Sequence, residues 1–292
     1  APELNEALQQ FIDQRLRDLR EMIRRTVRLE LEKRDQAQRE RTRLASLAEK
    51  SFYYLSEDEM RRMREAVTKL AQRLKNVVSI RRRKGKRGKF DLNDTLRKNL
   101  QYGGVPFRIQ FDRKIKDKPQ VLVLCDVSDS VRNVSRFMLQ FVYSLQECFT
   151  KIRSFVFVAE LGEVTQVFHD HEVGKAIDEA LEGGGVINVY TRSNFGMAFH
   201  TFWRDFLNAV DAKTTVLVLG DARNNNQDPG LESFIRIRER SRNLFWLNPD
   251  RRHLWSWSDS IAELYLPYCN EMKEVRNFLD LSEFIDKLFI GK

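Results

Sequence analysis

Oxygen-bearing side chains that could bind a divalent cation lie just after an apolar run near the middle of the chain. The run Val121–Leu124 leads into a short loop that carries one carboxylate and two hydroxyls, those of Asp126, Ser128 and Ser130. Carboxylate and hydroxyl oxygens are hard ligands, which suit Mg²⁺, Mn²⁺ or Ca²⁺ better than zinc or copper. The pattern is weak by itself, because Asp and Ser are also common in turns and at helix N-termini.

Two later segments carry ligands of the same kind. Asp221 follows a second apolar run, Thr215–Leu219, and Ser193 lies in a hydroxyl-rich turn together with Thr191, which is an alternative ligand. If the two runs are parallel strands of one sheet, their carboxyl ends bring these loops to the same edge. Two carboxylates do not fully satisfy a divalent cation, so we expect a coordination position to stay open for water or for an incoming carboxylate.

The elements that must position these side chains alternate between strands and helices. Four short apolar runs have the composition of strands that are buried on both faces, and stretches with a helical pattern separate them. The predicted strands are Val121–Leu124, Phe155–Val158, Thr215–Leu219 and Leu244–Leu247, and the predicted helices are Val131–Phe149, Phe195–Val210 and Leu231–Ser241. This order predicts a Rossmann-like α/β domain, with a doubly wound and mostly parallel sheet that helices cover on both faces.

One segment departs from the alternation of strands and helices. Glu163–Phe168 follows Leu161-Gly162 and alternates polar with apolar residues over most of its length. This pattern predicts an antiparallel edge strand, joined to the preceding strand by a tight turn.

The first part of the chain is predicted to be helical. Apolar residues recur at three- and four-residue spacing, and neither Gly nor Pro interrupts the chain from Leu4 to about Ala48, which predicts a long amphipathic helix and a candidate coiled-coil arm. Ser56 is a predicted N-cap of a second helix that ends before Arg81. We therefore expect a helical arm over residues 1–80, a basic loop and linker over 81–118, and the α/β domain over 119–292.

The net charge of +9 is concentrated in the first part of the chain. Residues 1–118 contain 32 basic and 18 acidic side chains, a net charge of +14, whereas residues 119–292 have a net charge of −5. The densest basic run, Arg81–Lys89, contains two glycines and favours an exposed loop. A solvated linker, a nucleic-acid contact and a docking segment for an acidic protein surface are three interpretations of this run. It contains no aromatic side chain, which argues against sequence-specific RNA recognition.

Several classes of protein are disfavoured. The three cysteines are odd in number and too far apart for a CxxC zinc site, which indicates a reducing compartment. No apolar run approaches the roughly 18 residues of a membrane span, and the N-terminus has no signal-peptide pattern, so we expect a cytoplasmic protein. The sequence has no Gly-rich phosphate loop ending in Lys-Ser or Lys-Thr, so ATP hydrolysis would need another chain. No general base with a clear role lies near Asp126, so we expect a binding module rather than an enzyme.

The polar loops resemble a known metal site. Asp-x-Ser-x-Ser after one strand, Ser193-x-x-Gly-x-Ala before a helix, and Gly-Asp after a later strand resemble the metal-ion-dependent adhesion site of a von Willebrand factor A (VWA) domain. The segments Gly88–Arg97, Gly103–Pro106, Phe157–Phe168 and Trp246–Pro249 extend this into a resemblance to the CoxE-like family, over about residues 80–290.

This resemblance implies a binding module that works with a MoxR-type AAA+ ATPase to remodel or mature a client protein. It implies Ser128, Ser130 and Ser193 as direct ligands of a divalent cation, with Asp126 and Asp221 bound directly or through water. An Asp or Glu of the partner would complete the coordination of the cation.

The chain departs from the family pattern at three positions. Ser193 stands where such sites usually have Thr, Asp129 replaces a small Gly between the two serines, and Ala222 follows Asp221 in place of Gly. The charge of Asp129 could strengthen cation binding or repel an acidic ligand. A vestigial site, whose side chains only keep the loops hydrogen-bonded, is the alternative to a metal site.

Overall fold

The computed structural model describes residues 2–84, 120–148 and 151–287, and it contains a six-stranded sheet. The sheet order is β3-β2-β1-β4-β5-β6. The strands are β1 Gln120–Asp126, β2 Ile152–Phe157, β3 Leu161–Glu163, β4 Thr214–Leu219, β5 Asn243–Asn248 and β6 Glu271–Glu274. All neighbouring strands pair in parallel except β3, which is antiparallel to β2. The predicted α/β sheet, mostly parallel with one antiparallel edge, is confirmed.

Nine α-helices in the described part of the chain surround or precede this sheet. They are α1 Pro2–Glu49, α2 Glu57–Lys84, α3 Arg132–Cys148, α4 Thr165–Asp170, α5 Val173–Leu181, α6 Phe195–Phe206, α7 Leu231–Arg240, α8 Ala262–Tyr265 and α9 Phe278–Ile285. The three helices predicted between the strands correspond to α3, α6 and α7. Strand β6 was not predicted, because its sequence Glu-Met-Lys-Glu contains a single apolar residue and makes no apolar run.

Both faces of the central strands are buried, since successive side chains of a strand point to opposite faces. Leu122 and Leu124 of β1 belong to an aromatic-rich core, to which α6 contributes Phe199 and β5 contributes Trp246. Val123 lies on the other face of β1 and is also fully buried. This two-sided burial explains why the strands appear in the sequence as continuous apolar runs.

The antiparallel edge strand is shorter than predicted and lies earlier in the chain, since Leu161 and Gly162, which were expected to precede it, belong to it. It ends at Glu163, and Thr165–Asp170 forms α4 instead of continuing the strand. The Oγ1 of Thr165 accepts a hydrogen bond of 2.9 Å from the backbone N–H of Ser154 in β2, so a side chain replaces the next strand partner. The prediction that the strand extends to Phe168 is wrong for this reason, although its antiparallel pairing is confirmed.

The chain divides into two compact units, residues 1–49 and 50–292. The first unit is the single 48-residue helix α1, which confirms the predicted long helix. Its described apolar side chains include Ile23 and Val27, which are 53% and 51% exposed. The coiled-coil assignment stays a prediction.

Helix α2 begins at the predicted N-cap. The backbone N–H of Glu59 donates to Ser56 Oγ at 3.3 Å, and the backbone N–H of Ser56 donates to Glu59 Oε2 at 2.9 Å. These reciprocal bonds form a capping box. The helix continues to Lys84, so the prediction that it ends before Arg81 is wrong; Arg and Lys are good helix formers, and the first glycine is Gly85.

Helix α2 lies in the second unit and packs against α3. Its Val67 and Leu70 are buried, at 0% and 4% exposure. Residues 85–89 of the basic run, and the linker that continues to residue 118, lie outside the described residues, and the division of the chain into arm, linker and domain stays a prediction. Within the described ranges, no helix has both the length and the apolar character that a membrane span requires.

Candidate functional site

Asp126 lies at the carboxyl end of β1, and its side chain is fully buried. Its Oδ1 accepts a hydrogen bond of 2.8 Å from the backbone N–H of Ser128, which closes a tight turn. The hydroxyl of Ser135 in α3 donates to the backbone oxygen of Asp126 and fixes the turn against the helix. Oδ2 of Asp126 is also buried, and it accepts no hydrogen bond from the described residues.

The two serines of this loop lie side by side. The hydroxyl oxygens of Ser128 and Ser130 are 3.2 Å apart, with Ser128 buried and Ser130 exposed. The side chain of Asp129 between them is 93% exposed, and its Oδ1 lies 3.9 Å from Arg132 Nη1. Because water screens an exposed charge, Asp129 contributes little to the field at the buried carboxylate of Asp126.

Asp221 follows β4, the parallel neighbour of β1. A Cβ atom added to Gly220 would lie 2.9 Å from the Cβ of Asp126, so glycine allows the two strand ends to approach. Asp221 is 1% exposed, and its Oδ1 accepts a hydrogen bond of 3.0 Å from the backbone N–H of Arg223. Its Oδ2 is buried and, among the described residues, has no hydrogen-bond donor.

The two aspartates share one electrostatic environment. Burial raises the pKa of Asp126 well above its ordinary value, and the nearby charge of Asp221 raises it further. Burial raises the pKa of Asp221 to about 6, against the lowering effects of the backbone N–H of Arg223 and of the nearby Ser130 side chain. Two buried carboxylates are costly to keep ionised unless a cation compensates them.

The two candidate ligands of the loop before α6, Ser193 and Thr191, differ in burial and in their hydrogen bonds. Ser193 is 7% exposed, and its backbone oxygen accepts a hydrogen bond of 2.9 Å from Asn225 Nδ2 in the Asp221 loop. Thr191 is exposed, and its hydroxyl donates to the backbone oxygen of Asn188 at 3.2 Å. The structure therefore ties Ser193 to the Asp221 loop and leaves Thr191 on the surface of its own loop.

Asn224 joins the same two loops and was not assigned a role from the sequence. It is fully buried, and its Oδ1 accepts a hydrogen bond of 2.7 Å from the backbone N–H of Phe195 at the start of α6. Its Nδ2 donates to the backbone oxygen of Gln227 at 2.7 Å. The signal in the sequence was the run Asn224–Asn226, since Asn tolerates the left-handed backbone that Asn225 and Asn226 adopt at φ values of 49° and 57°.

Strand β5 supports the Asp221 loop from behind. Trp246 Nε1 donates to the backbone oxygen of Gly220 at 2.8 Å, and Asn248 Nδ2 donates to the backbone oxygen of Asp221 at 3.4 Å. The hydroxyl of Ser260 donates to the same oxygen at 3.1 Å. The segment Trp246–Pro249 thus provides hydrogen-bond donors that hold the loop at the sheet edge.

Arg223 is a second residue that the sequence analysis missed. Its guanidinium lies within 4 Å of three carboxylates, those of Asp221, Asp250 and Asp259. Asp250 and Asp259 lie more than 25 residues along the chain from Arg223, so no local pattern could have indicated this cluster.

The donor set fits a hard divalent cation. The two buried carboxylate oxygens without donors, together with the adjacent serine hydroxyls, are ligands that Mg²⁺, Mn²⁺ or Ca²⁺ accept. Among the described residues, no group of three or more His, Cys, Asp or Glu side chains could hold a metal. A cation at Asp126 and Asp221 would therefore depend on the hydroxyls, on water or on a partner for its remaining ligands.

Three solved structures are similar to part of this chain at low sequence identity. An aerotolerance-related membrane protein from Bacteroides fragilis NCTC 9343, solved with multiple mutations to serines, is 10% identical, with 59% of this chain and 99% of that chain covered and a TM-score of 0.38. The conserved hypothetical protein BatB from Bacteroides thetaiotaomicron is 13% identical, covering 57% and 95%, with a TM-score of 0.38. The von Willebrand factor type A protein from Catenulispora acidiphila is 10% identical, covering 62% and 43%, also at 0.38.

A family model matches most of the chain. A comparison with curated proteins finds no match. The model of the family described as VWA domain containing CoxE-like protein matches residues 61–283, which include most of α2, the whole sheet and the three polar loops. VWA domains are generally interaction modules, which agrees with a role in protein binding. This chain belongs to the family of VWA domain containing CoxE-like proteins.

Proposed function

We propose that this protein is a metal-dependent binding adaptor, which works with a MoxR-type AAA+ ATPase to remodel, activate or mature a client protein. The observation that carries the proposal is the pair of oxygens Asp126 Oδ2 and Asp221 Oδ2. Both are buried at neighbouring strand ends, and neither accepts a hydrogen bond from the described residues. Buried polar atoms normally have hydrogen-bond partners. Asp221 Oδ2 has an ion pair with Arg223 Nε at 3.4 Å, whereas Asp126 Oδ2 accepts no hydrogen bond from the described residues, and this supports a ligand at the pair.

The residues of the site have distinct roles in this proposal. Asp126 and Asp221, with the hydroxyls of Ser128, Ser130 and Ser193, would hold Mg²⁺, or else Mn²⁺ or Ca²⁺. When bound, the ion supplies positive charge and an open position that an Asp or Glu of a partner can enter. The hydrogen bonds of the loops hold these side chains in place before binding, which reduces the cost of ordering them.

Family membership and the sequence support the assignment of an ATPase partner. The sequence contains no Gly-rich phosphate loop, so the ATPase activity belongs to a second chain. Burial and the neighbouring charge of Asp126 raise the pKa of the Cys125 thiol, so this cysteine stays protonated and is a poor nucleophile. A non-catalytic role agrees with both observations.

A binding experiment with the ATPase tests this proposal. We expect the tagged protein to capture its ATPase or client in Mg²⁺ and to lose them in EDTA. Asp126→Ala should abolish the Mg²⁺-dependent capture while the chain keeps its circular dichroism spectrum. Asp129→Ala removes an exposed carboxylate from the same loop and should leave capture unchanged. Capture that survives both EDTA and Asp126→Ala would remove the metal from the mechanism.

The charge asymmetry supports nucleic-acid binding as a second candidate function. The +14 charge of residues 1–118 would contact phosphates through the basic run and the helical arm, with the VWA domain as a scaffold. Such binding should weaken steeply between about 50 and 200 mM salt. A fluorescence anisotropy titration with duplex and single-stranded probes at low salt measures it, and the absence of binding would exclude this function.

A further inference from the structure

The guanidinium of Arg223 lies among three acidic side chains beside the proposed metal site. Its Nε is 3.4 Å from Asp221 Oδ2, the oxygen that accepts no hydrogen bond from the described residues. The opposite end of the guanidinium is held by two carboxylates, with Nη2 2.9 Å from Asp250 Oδ2 and Nη1 3.3 Å from Asp259 Oδ1. Arg223 thus holds a positive charge against the carboxylate that a metal ion would use.

The anchors of Arg223 are themselves held by other parts of the molecule. Asp250 accepts a hydrogen bond of 3.2 Å from the hydroxyl of Tyr53, which lies between α1 and α2. The backbone oxygen of Asp259 accepts a hydrogen bond of 3.0 Å from the N–H of Asn224. The side chain of Arg223 is only 26% exposed, so its charge is less screened than that of a surface arginine.

We propose that Arg223 is a resident counter-cation of the metal site, which compensates Asp221 in the metal-free protein and lowers the affinity of the site for a divalent cation. The proposal rests on the metal site of the proposed function. Its physical basis is competition: a fixed positive charge next to Asp221 stabilises the empty site and repels an incoming cation. The metal affinity of the chain is then set by Arg223 as well as by the five ligand residues.

Calorimetric titration of the full chain with MgCl₂ tests this role. Arg223→Gln removes the charge and keeps the backbone N–H that donates to Asp221, so we expect Mg²⁺ to bind about tenfold more tightly than to the wild type. Arg223→Met also removes the charge, with an apolar side chain of similar length, and should give the same increase in affinity. It replaces Arg223→Gln in the test if the glutamine variant does not fold. Arg223→Lys keeps the charge and should stay within about threefold of the wild type.

A matched control is Arg153→Gln. Arg153 pairs with Glu163 and lies near the amino end of β2, four residues before Phe157 at the site end, or roughly 13 Å along the strand. The Arg153→Gln substitution changes the net charge by the same amount as Arg223→Gln, but away from the site. We therefore expect its Mg²⁺ affinity to equal that of the wild type.

The outcomes separate this proposal from the proposed function. If Asp126→Asn abolishes Mg²⁺ binding but the neutral Arg223 variants bind no more tightly than the wild type, the counter-cation role is wrong and the metal site stands. If neither the wild type nor these variants bind Mg²⁺, both proposals fail. If Arg223→Gln and Arg153→Gln both bind Mg²⁺ more tightly, the increase in affinity comes from the change in net charge. That result would also overturn the role of Arg223.

Discussion

At the scale of single residues, the site depends on the close approach of two buried aspartates. Gly220 makes this approach possible, because any Cβ at that position would meet Asp126. Ala222, which follows Asp221, has a left-handed backbone with φ of 61° where the family pattern has Gly. Its methyl group is fully buried in the core of the sheet, and this burial offsets part of the backbone strain.

We predict that Gly220→Ala damages the metal site. The added methyl would lie 2.9 Å from Asp126 Cβ and 3.1 Å from the Phe195 ring, so Asp126 must shift. The expected cost is about 1–3 kcal/mol of unfolding free energy together with weaker Mg²⁺ binding. Urea denaturation and calorimetry measure the two effects. Gly174→Ala is the control, because its Cβ would have no neighbour within 4 Å, and equal behaviour of the two variants would contradict the steric explanation.

The raised pKa of Asp221 predicts a dependence of stability on pH in the metal-free protein. Because its pKa rises from 3.8 in the unfolded chain to about 6 in the folded chain, the folded state binds more protons between these values. This contribution to stability is therefore complete below about pH 4 and is lost as the pH rises to about 6. Asp221→Asn removes the dependence, so the difference between the two unfolding free energies across this range measures it. A difference that does not vary with pH would contradict the raised pKa.

At the scale of elements, side chains from outside the three polar loops hold these loops in position. β5 supports the Asp221 loop through Trp246 and Asn248, and Asn224 ties that loop to the start of α6. Helix α2, which precedes the sheet by many residues in the sequence, packs on α3, the helix that follows Asp126. The family match also begins within α2, at residue 61.

We predict that α2 is required for the stability of the VWA domain. Leu70 is 4% exposed, so Leu70→Ala should lower the unfolding free energy by about 2–5 kcal/mol. Leu29→Ala makes the same change at a residue of α1 that is 50% exposed, and it should cost less than about 1 kcal/mol. Chemical denaturation followed by circular dichroism compares the two. Equal costs would show that α2 does not contribute a core to the domain.

A hydrogen bond between Tyr53 and Asp250 joins the segment before α2 to the cluster around Arg223. We predict that Tyr53→Phe lowers the unfolding free energy by about 1.5–3 kcal/mol, because it removes a hydrogen bond to a carboxylate and keeps the ring. Tyr54→Phe is the control, since Tyr54 is 75% exposed. If the two variants unfold at the same denaturant concentration, the bond does not contribute to stability.

At the scale of the whole molecule, the basic charge and the proposed metal chemistry lie in different parts of the chain. Residues 1–118 have a net charge of +14, and residues 119–292, which contain the aspartate pair, have −5. The net charge of the protein therefore says little about the site itself. It describes residues 1–118 instead.

A bound cation should stabilise the whole folded unit. At a Mg²⁺ concentration 100 times the dissociation constant, binding only to the folded state adds about 2.7 kcal/mol, which corresponds to a rise in Tm of roughly 5–10 °C for a domain of this size. Differential scanning fluorimetry at constant ionic strength measures the shift, and Asp126→Asn should abolish it. An equal shift in the variant would place the Mg²⁺ effect elsewhere in the molecule.

The sequence by itself determined the order of the first five strands and of the helices α1, α2, α3, α6 and α7, the antiparallel edge and the three polar loops. These features are local: continuous apolar runs mark strands buried on both faces, and the spacing of apolar residues marks helices. Only the tertiary structure decided that Ser193 rather than Thr191 is tied to the Asp221 loop, that α2 packs on α3, and that Arg223 lies among three aspartates. Those contacts join residues far apart in the chain, and burial, which sets the pKa of Asp126 and Asp221, exists only once the sheet and its helices have assembled.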